Sequence, residues 1–180
     1  MPISTTSAHS EMRNIILTGF MGTGKSSVGK LLAEQLGFSY LDLDALIVAD
    51  AGITINEIFA RHGEPHFRSL ETDTVRRIGD EERCVVSTGG GAVVSAENRR
   101  LLRQAGWVIN LAATVEEICL RLRDDTDRPL LRDDRSGGRV AAMMAEREPF
   151  YADADLRIDT TGKSVEDVVA EIVRFLEARG

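Results

Sequence analysis

The sequence predicts an α/β fold, one sheet of five parallel strands with helices on both faces. Two observations carry that reading. Short apolar runs alternate with longer amphipathic ones along the 180 residues, the pattern of strand, crossover helix, strand. A glycine-rich stretch, Gly19 to Ser26, joins the first apolar run directly to the first amphipathic one. No internal repeat, low-complexity tract or Pro/Ser-rich linker interrupts the pattern. One domain over 12–180 is therefore expected, behind a loose polar tail at 1–11.

Taken in order, Asn14–Thr18 reads as a buried first strand and Lys25–Leu36 as a helix stopped by Gly37. Ser39–Leu43 is a second strand with carboxylates at its end. A helical stretch from Ala45 to about Ile78 follows, interrupted at Gly52 and Gly63. Cys84–Ser87 is a third strand running into a triple glycine. Asn98–Gln104 reads as helix, Trp107–Leu111 as the fourth strand and Val115–Arg123 as helix. Residues 124–138 are charged, contain Pro and Gly and are poor in apolar side chains, so they read as a mobile connection. Val140–Glu148 resumes helix, Leu156–Ile158 is the fifth strand and Val165–Ala178 the last helix.

Composition excludes several classes. With 43% hydrophobic and 28% charged residues the chain is of ordinary globular type, and 5% aromatic content points to an aliphatic core. A net charge of −7 without a long basic run argues against a nucleic-acid surface. Any anionic substrate then needs local cations. Cys84 and Cys119 lie in apolar segments and read as buried, reduced thiols. Residues 1–11 lack the basic and apolar regions of a signal peptide, and no run of 18 apolar residues spells a membrane span. A cytoplasmic protein is the expectation.

Gly19-Phe20-Met21-Gly22-Thr23-Gly24-Lys25-Ser26 matches G-x-x-x-x-G-K-[ST] in full, between a predicted strand and a predicted helix. The glycines let backbone amides turn inward as a nest for phosphate oxygens, and the helix adds the positive end of its dipole. Lys25 offers a cation to the β- and γ-phosphates and Ser26 a hydroxyl to Mg²⁺. Nucleotide binding is the implied chemistry, with the acceptor left open.

The acceptor must be read elsewhere. Asp42 and Asp44, two apart at a strand end, would share one face, one serving the metal and the other a substrate hydroxyl. A capping role at the next helix would explain the same spacing. Ser87-Thr88-Gly89-Gly90-Gly91 exposes backbone to a small ligand. Arg68, Arg121, Arg128 and Arg147 are candidate cations for transferring oxygens or a carboxylate. Only three residues are lysine, Lys25, Lys30 and Lys163, so arginine must do most of this work.

Together these pieces resemble shikimate kinase over essentially residues 13–178. They are GFMGTGKS, the LDLD of Leu41–Asp44, the GE..FR of Gly63–Arg68, STGGGAV, RPLL at Arg128–Leu131 and ER.PFY ending at Tyr151. The resemblance implies a P-loop NTPase fold like that of nucleoside monophosphate kinases, strand order 2-3-1-4-5, with a mobile lid at about 124–138. It implies transfer of the γ-phosphoryl of ATP to the 3-hydroxyl of shikimate, on the route to chorismate and the aromatic amino acids. By the same resemblance Asp44, Arg68, Gly90 and Arg147 would hold shikimate, with Gly89 and Gly91 beside Gly90. Gly22, Thr23, Gly24, Lys25, Ser26 and Ser27 would wrap the phosphates, and Ser26 would ligate one Mg²⁺ with Asp42 acting through its water shell. Asp44, Lys25 and Arg128 would be the catalytic groups. Arg121 and Lys163 would flank adenine, Lys163 standing where an arginine is common. A monomer working on small molecules is implied. A gluconate-type sugar kinase is the alternative sharing the same loop and fold.

Overall fold

The computed structural model describes residues 13–123 and 137–179. Five parallel strands form one sheet in the order β2-β3-β1-β4-β5. They are β1 (Asn14–Thr18), β2 (Ser39–Asp42), β3 (Cys84–Ser87), β4 (Gly106–Ala112) and β5 (Leu156–Asp159). The register is continuous: Ile16 lies beside Val86 of β3 and Val108 of β4, with Leu41 of β2 beyond Val86.

Strand alternation sorts the core into two layers. Ile15, Leu17, Val85 and Ile109 pack with Val28 and Leu32 of α1 (Lys25–Leu36) and with Val168, Val169 and Ile172 of α7 (Val165–Glu177). Ile16, Cys84, Val86 and Val108 point the other way, onto Leu43 of α2 (Leu43–Ala51), Val75 and Ile78 of α3 (Ile55–Ile78) and Leu102 of α4 (Ala96–Ala105). β1 is buried along its whole length because it sits mid-sheet with helices on both faces. Truncating Leu17 there to Ala would cost roughly 2–5 kcal/mol.

The chain winds from β1 out to β2 and back to β3, then crosses to β4 and β5 on the other side. β1 is thus the strand where the winding reverses, and the loops after all five strands open along one edge. That is where ligands bind in open parallel sheets. Two more helices cover that edge, α5 (Val115–Arg121) and α6 (Gly137–Tyr151), joined to the loop after β1 through Phe20, Met21, Ile118, Leu122 and Val140.

Several boundaries differ from expectation for local reasons. β2 ends at Asp42 rather than Leu43, because Asp42 caps α2. Gly52 separates α2 from α3, which starts at a Thr54–Glu57 capping box. Gly63 keeps a non-helical φ of 81° and kinks α3, so both expected interruptions are present. A short 3-10 turn, Ala92–Val94, follows the glycines and was not expected. α6 begins at Gly137, so Gly137 and Gly138 belong to helix and not to the expected connection. The rest of that connection, with Arg128, and the tail at 1–11 lie outside the described residues. Both cysteines are unbridged, Cys84 buried but Cys119 only half-buried.

Candidate active site

The loop after β1 enters α1 through Gly22 at φ 80° and Gly24 at φ 95°, conformations that side chains disfavour. Gly24 stands at the N-cap of α1 without a capping side chain, so the first amides of the helix face the cavity beyond. The Lys25 ammonium lies back over the loop, donating to the carbonyls of Gly19 at 2.8 Å and Phe20 at 3.0 Å. The loop is braced from its other side. The Thr23 hydroxyl donates to Phe20 O at 2.8 Å, Arg121 donates to Gly22 O at 3.0 Å, and Thr160 donates to Thr23 O at 3.2 Å.

A cavity of about 230 Å³ opens beside this loop, lined on one side by Gly22, Gly24, Lys25, Ser26 and Ser27. Its other side is Asp42, Asp44, Thr88, Gly89 and Gly90. The phosphate loop therefore shares one space with Asp44, Gly89 and Gly90, whereas Arg68 and Gly91 line a second pocket with Glu64 and Glu71.

The two aspartates reach it differently from the shared strand face expected. Asp42 Oδ1 accepts the Ala45 N–H at 3.0 Å as the cap of α2, and its Oδ2 lies 3.4 Å from the Tyr40 hydroxyl. Asp44 stands in the first turn of α2. Capping ends the strand at Asp42, so strand alternation no longer relates the pair. Among the described residues no three His, Cys, Asp or Glu side chains cluster as a metal cage. One hydroxyl and one carboxylate fit an ion whose other ligands are phosphate and water, the usual habit of Mg²⁺.

The arginines are held by partners that sequence reading missed. Arg68 donates to both oxygens of Glu71, at 3.0 and 3.2 Å, and to Glu64 at 3.2 Å. Glu71 is almost wholly buried. Burial pushes its carboxyl above the ordinary range, while the Arg68 charge beside it pulls the other way and Asp44 adds to the rise. The Arg68 guanidinium also lies close against Gly91, where a Cβ would fall 2.5 Å from Nη2, so a side chain there would push the guanidinium aside. Arg147 is itself buried, at 7% exposure, with its guanidinium 5.5 Å from the Phe20 ring centre. Its Nη1 has no hydrogen-bond partner among the described residues, an orphaned donor beside the glycine turn. Tyr151, one helical turn on, donates to Gly90 O. Burial pushes its phenol up to about 12, against the charge of Arg147.

The expected adenine-side pair is placed as follows. Arg121 is pinned to Glu117 at 2.8 Å as well as to Gly22 and Thr160, at the edge of the phosphate loop. Lys163 follows β5 and pairs with Glu171 at 2.6 Å. Of the missed residues, Glu71 left a usable trace: Glu64, Arg68 and Glu71 are spaced four and three apart, ion-pair distances on a helix. Tyr151 left its place at the end of ER.PFY, four after Arg147, with no role attached.

A nucleotide-phosphate loop sharing a cavity with Asp44, Gly89 and Gly90, with Arg147 beside Gly90 and Arg68 beside Gly91, at the edge of a 2-3-1-4-5 sheet, defines a small-molecule kinase of the P-loop class. The chain belongs to the shikimate kinase family, whose family model matches residues 21–177. It is 75% identical to a shikimate kinase of Geobacter metallireducens over 179 residues, 99% of this chain and 100% of that one. A shikimate kinase from Acinetobacter baumannii, solved in complex with shikimate, superposes with a TM-score of 0.90 at 36% identity, covering 93% and 94% of the two chains. A gluconokinase from Sinorhizobium meliloti superposes with a TM-score of 0.63 at 17% identity over 93% of each chain, which is likeness of fold alone.

Proposed function

We propose that this cavity moves the γ-phosphoryl group of ATP to the 3-hydroxyl of shikimate, a step toward chorismate and the aromatic amino acids. Membership of the shikimate kinase family makes the reaction phosphorylation of shikimate by ATP. The observation that carries the residue roles is the shared cavity, with Lys25 and Ser26 on one wall and Asp44 and Gly90 on the other.

The amides of Gly22–Ser27 and the Lys25 ammonium hold the phosphates, and their charge-assisted bonds strengthen as negative charge moves onto the leaving oxygen. Asp44, in the first turn of α2, accepts the hydrogen of the attacking hydroxyl and orients it in line. Arg68 and Arg147 take the substrate carboxylate, Arg147 using its unpartnered Nη1, while Gly89, Gly90 and Gly91 let the ring approach the backbone. Ser26, with Asp42 at one water's remove, would hold Mg²⁺, which supplies charge neutralisation on the phosphates when bound. Arg128 is assigned to the transferring oxygens, and Arg121 and Lys163 to the adenine side. All these groups come from one chain, in keeping with a cytoplasmic monomer.

ADP release in a coupled assay with Mg²⁺-ATP, comparing shikimate, gluconate, AMP and no acceptor, tests the reading. Release is expected with shikimate alone. Release with gluconate or AMP instead would overturn the roles of Asp44, Arg68, Gly90 and Arg147.

A further inference from the structure

Tyr151 is 5% exposed and packs in the apolar cluster of Phe20, Met21, Val93 and Val140. Its neighbour Phe150 serves the same cluster without a hydroxyl. Packing therefore accounts for the ring of Tyr151 but not for its polar end, and a buried hydroxyl is retained at a cost unless its bonds are used.

That hydroxyl reaches the acceptor wall. It donates to the carbonyl of Gly90. The Arg147 side chain stands one turn earlier on α6, its charge acting on the phenol. Arg147 and the glycine turn are close in any case, since a Cβ on Gly90 would lie 3.5 Å from Arg147 Nη1. The Gly90 carbonyl and the Gly91 N–H belong to one rigid peptide plane, so fixing the first aims the second. Gly91 is the residue on which the Arg68 guanidinium rests, so close that an added carbon would displace the guanidinium.

We propose that Tyr151 is a positioning residue that sets the spacing of the two arginines by fixing the glycine turn between them, Gly90 beside Arg147 and Gly91 beside Arg68. A planar carboxylate gripped from two sides needs that spacing fixed before it arrives, because guanidinium forks reward geometry as much as charge. The inference rests on the reading that Arg147 and Arg68 take the substrate carboxylate.

The test is Tyr151→Phe beside Arg147→Ala and the double variant, with KM for shikimate, KM for ATP, kcat, Tm and fluorescent-nucleotide binding measured on each. Tyr151→Phe keeps the ring and loses only the hydroxyl with its bond to Gly90. KM for shikimate should rise about tenfold, with kcat and KM for ATP within about twofold of wild type, the pattern of lost uniform binding. The double variant should add less to Arg147→Ala than Tyr151→Phe costs alone, since both act on one grip. If Arg147→Ala raises KM for shikimate and Tyr151→Phe does not, the positioning role is wrong and the carboxylate reading stands. If Arg147→Ala leaves that KM unchanged, the reading fails and takes the inference with it. A Tyr151→Phe protein that loses Tm and nucleotide binding together, or moves both KM values equally, would make Tyr151 a packing residue only.

Discussion

The two halves of the site are built on different plans. The phosphate half comes from one short run of chain, Gly19–Ser27, and its working groups are backbone amides and one lysine. The acceptor half gathers Asp44 from α2, Arg68 and Glu71 from α3, Gly89–Gly91 from the loop after β3, and Arg147 and Tyr151 from α6. Local turn geometry shapes the first half, with Arg121 and Thr160 bracing it from outside. The second exists only once four distant segments have packed. Its charged groups must also be kept apart and aimed, which is the work of Glu71 on Arg68 and of Tyr151 on Gly90, beside Arg147. A lesion in the phosphate half should therefore damage every use of nucleotide. One in the acceptor half should leave nucleotide binding alone.

The largest effects should fall on either side of that line. Lys25→Ala should lower kcat by about a thousandfold and weaken fluorescent-nucleotide binding as well, since the same cation serves ground and transition states. Asp44→Asn should lower kcat by at least about a hundredfold, the loss of a base and orienter, with nucleotide affinity near wild type. Titrations that show nucleotide affinity falling equally in both variants would erase the distinction between the halves.

A smaller effect tests the support of the acceptor wall. Glu71→Ala removes the buried carboxylate that holds Arg68 through two contacts and leaves only exposed Glu64. KM for shikimate should rise about tenfold with KM for ATP unchanged, and Tm should drop by several degrees because one partner of a largely buried pair is gone. Steady-state kinetics and a melting curve on one preparation decide it. An unchanged KM for shikimate would mean that Arg68 keeps its place without Glu71.

The same contrast explains what could be read from the residue string. The strands and their bounding glycines were legible because parallel strands buried on both faces give unbroken apolar runs, as in Asn14–Thr18 and Cys84–Ser87. The phosphate loop was legible because backbone geometry forces its residue types in order. Asp42 stood between two readings, because a carboxylate at a strand end reads equally as a cap, and only the Ala45 N–H decides between them. Glu71 and Tyr151 were missed for a deeper reason. Their roles lie in contacts to residues made by tertiary packing, to Gly89 and Asp44 for one and to Gly90 for the other, 61 positions away. Spacing along one helix hinted at Arg68–Glu71 and could not say that the pair is buried.

The smallest effect reaches the acceptor half through pH. Burial holds the Tyr151 phenol at about 12 in the folded protein, whereas an unfolded tyrosine ionises near 10. A folded value raised above the unfolded one means stability that is fully present below about pH 10 and is lost as pH rises toward 12. Tyr151→Phe has no such proton to lose. The difference in unfolding free energy between wild type and Tyr151→Phe should therefore move against the wild type by roughly 2–3 kcal/mol between pH 9 and pH 12. The other ionisable groups, Lys25 of the phosphate half among them, are the same in both proteins and drop out of the difference. Urea unfolding of the pair at stepped pH measures it. The difference therefore belongs to the acceptor wall, where the substitution is. Parallel curves would mean that the phenol ionises as if solvated, and that the link from Tyr151 to Gly90 is open in solution.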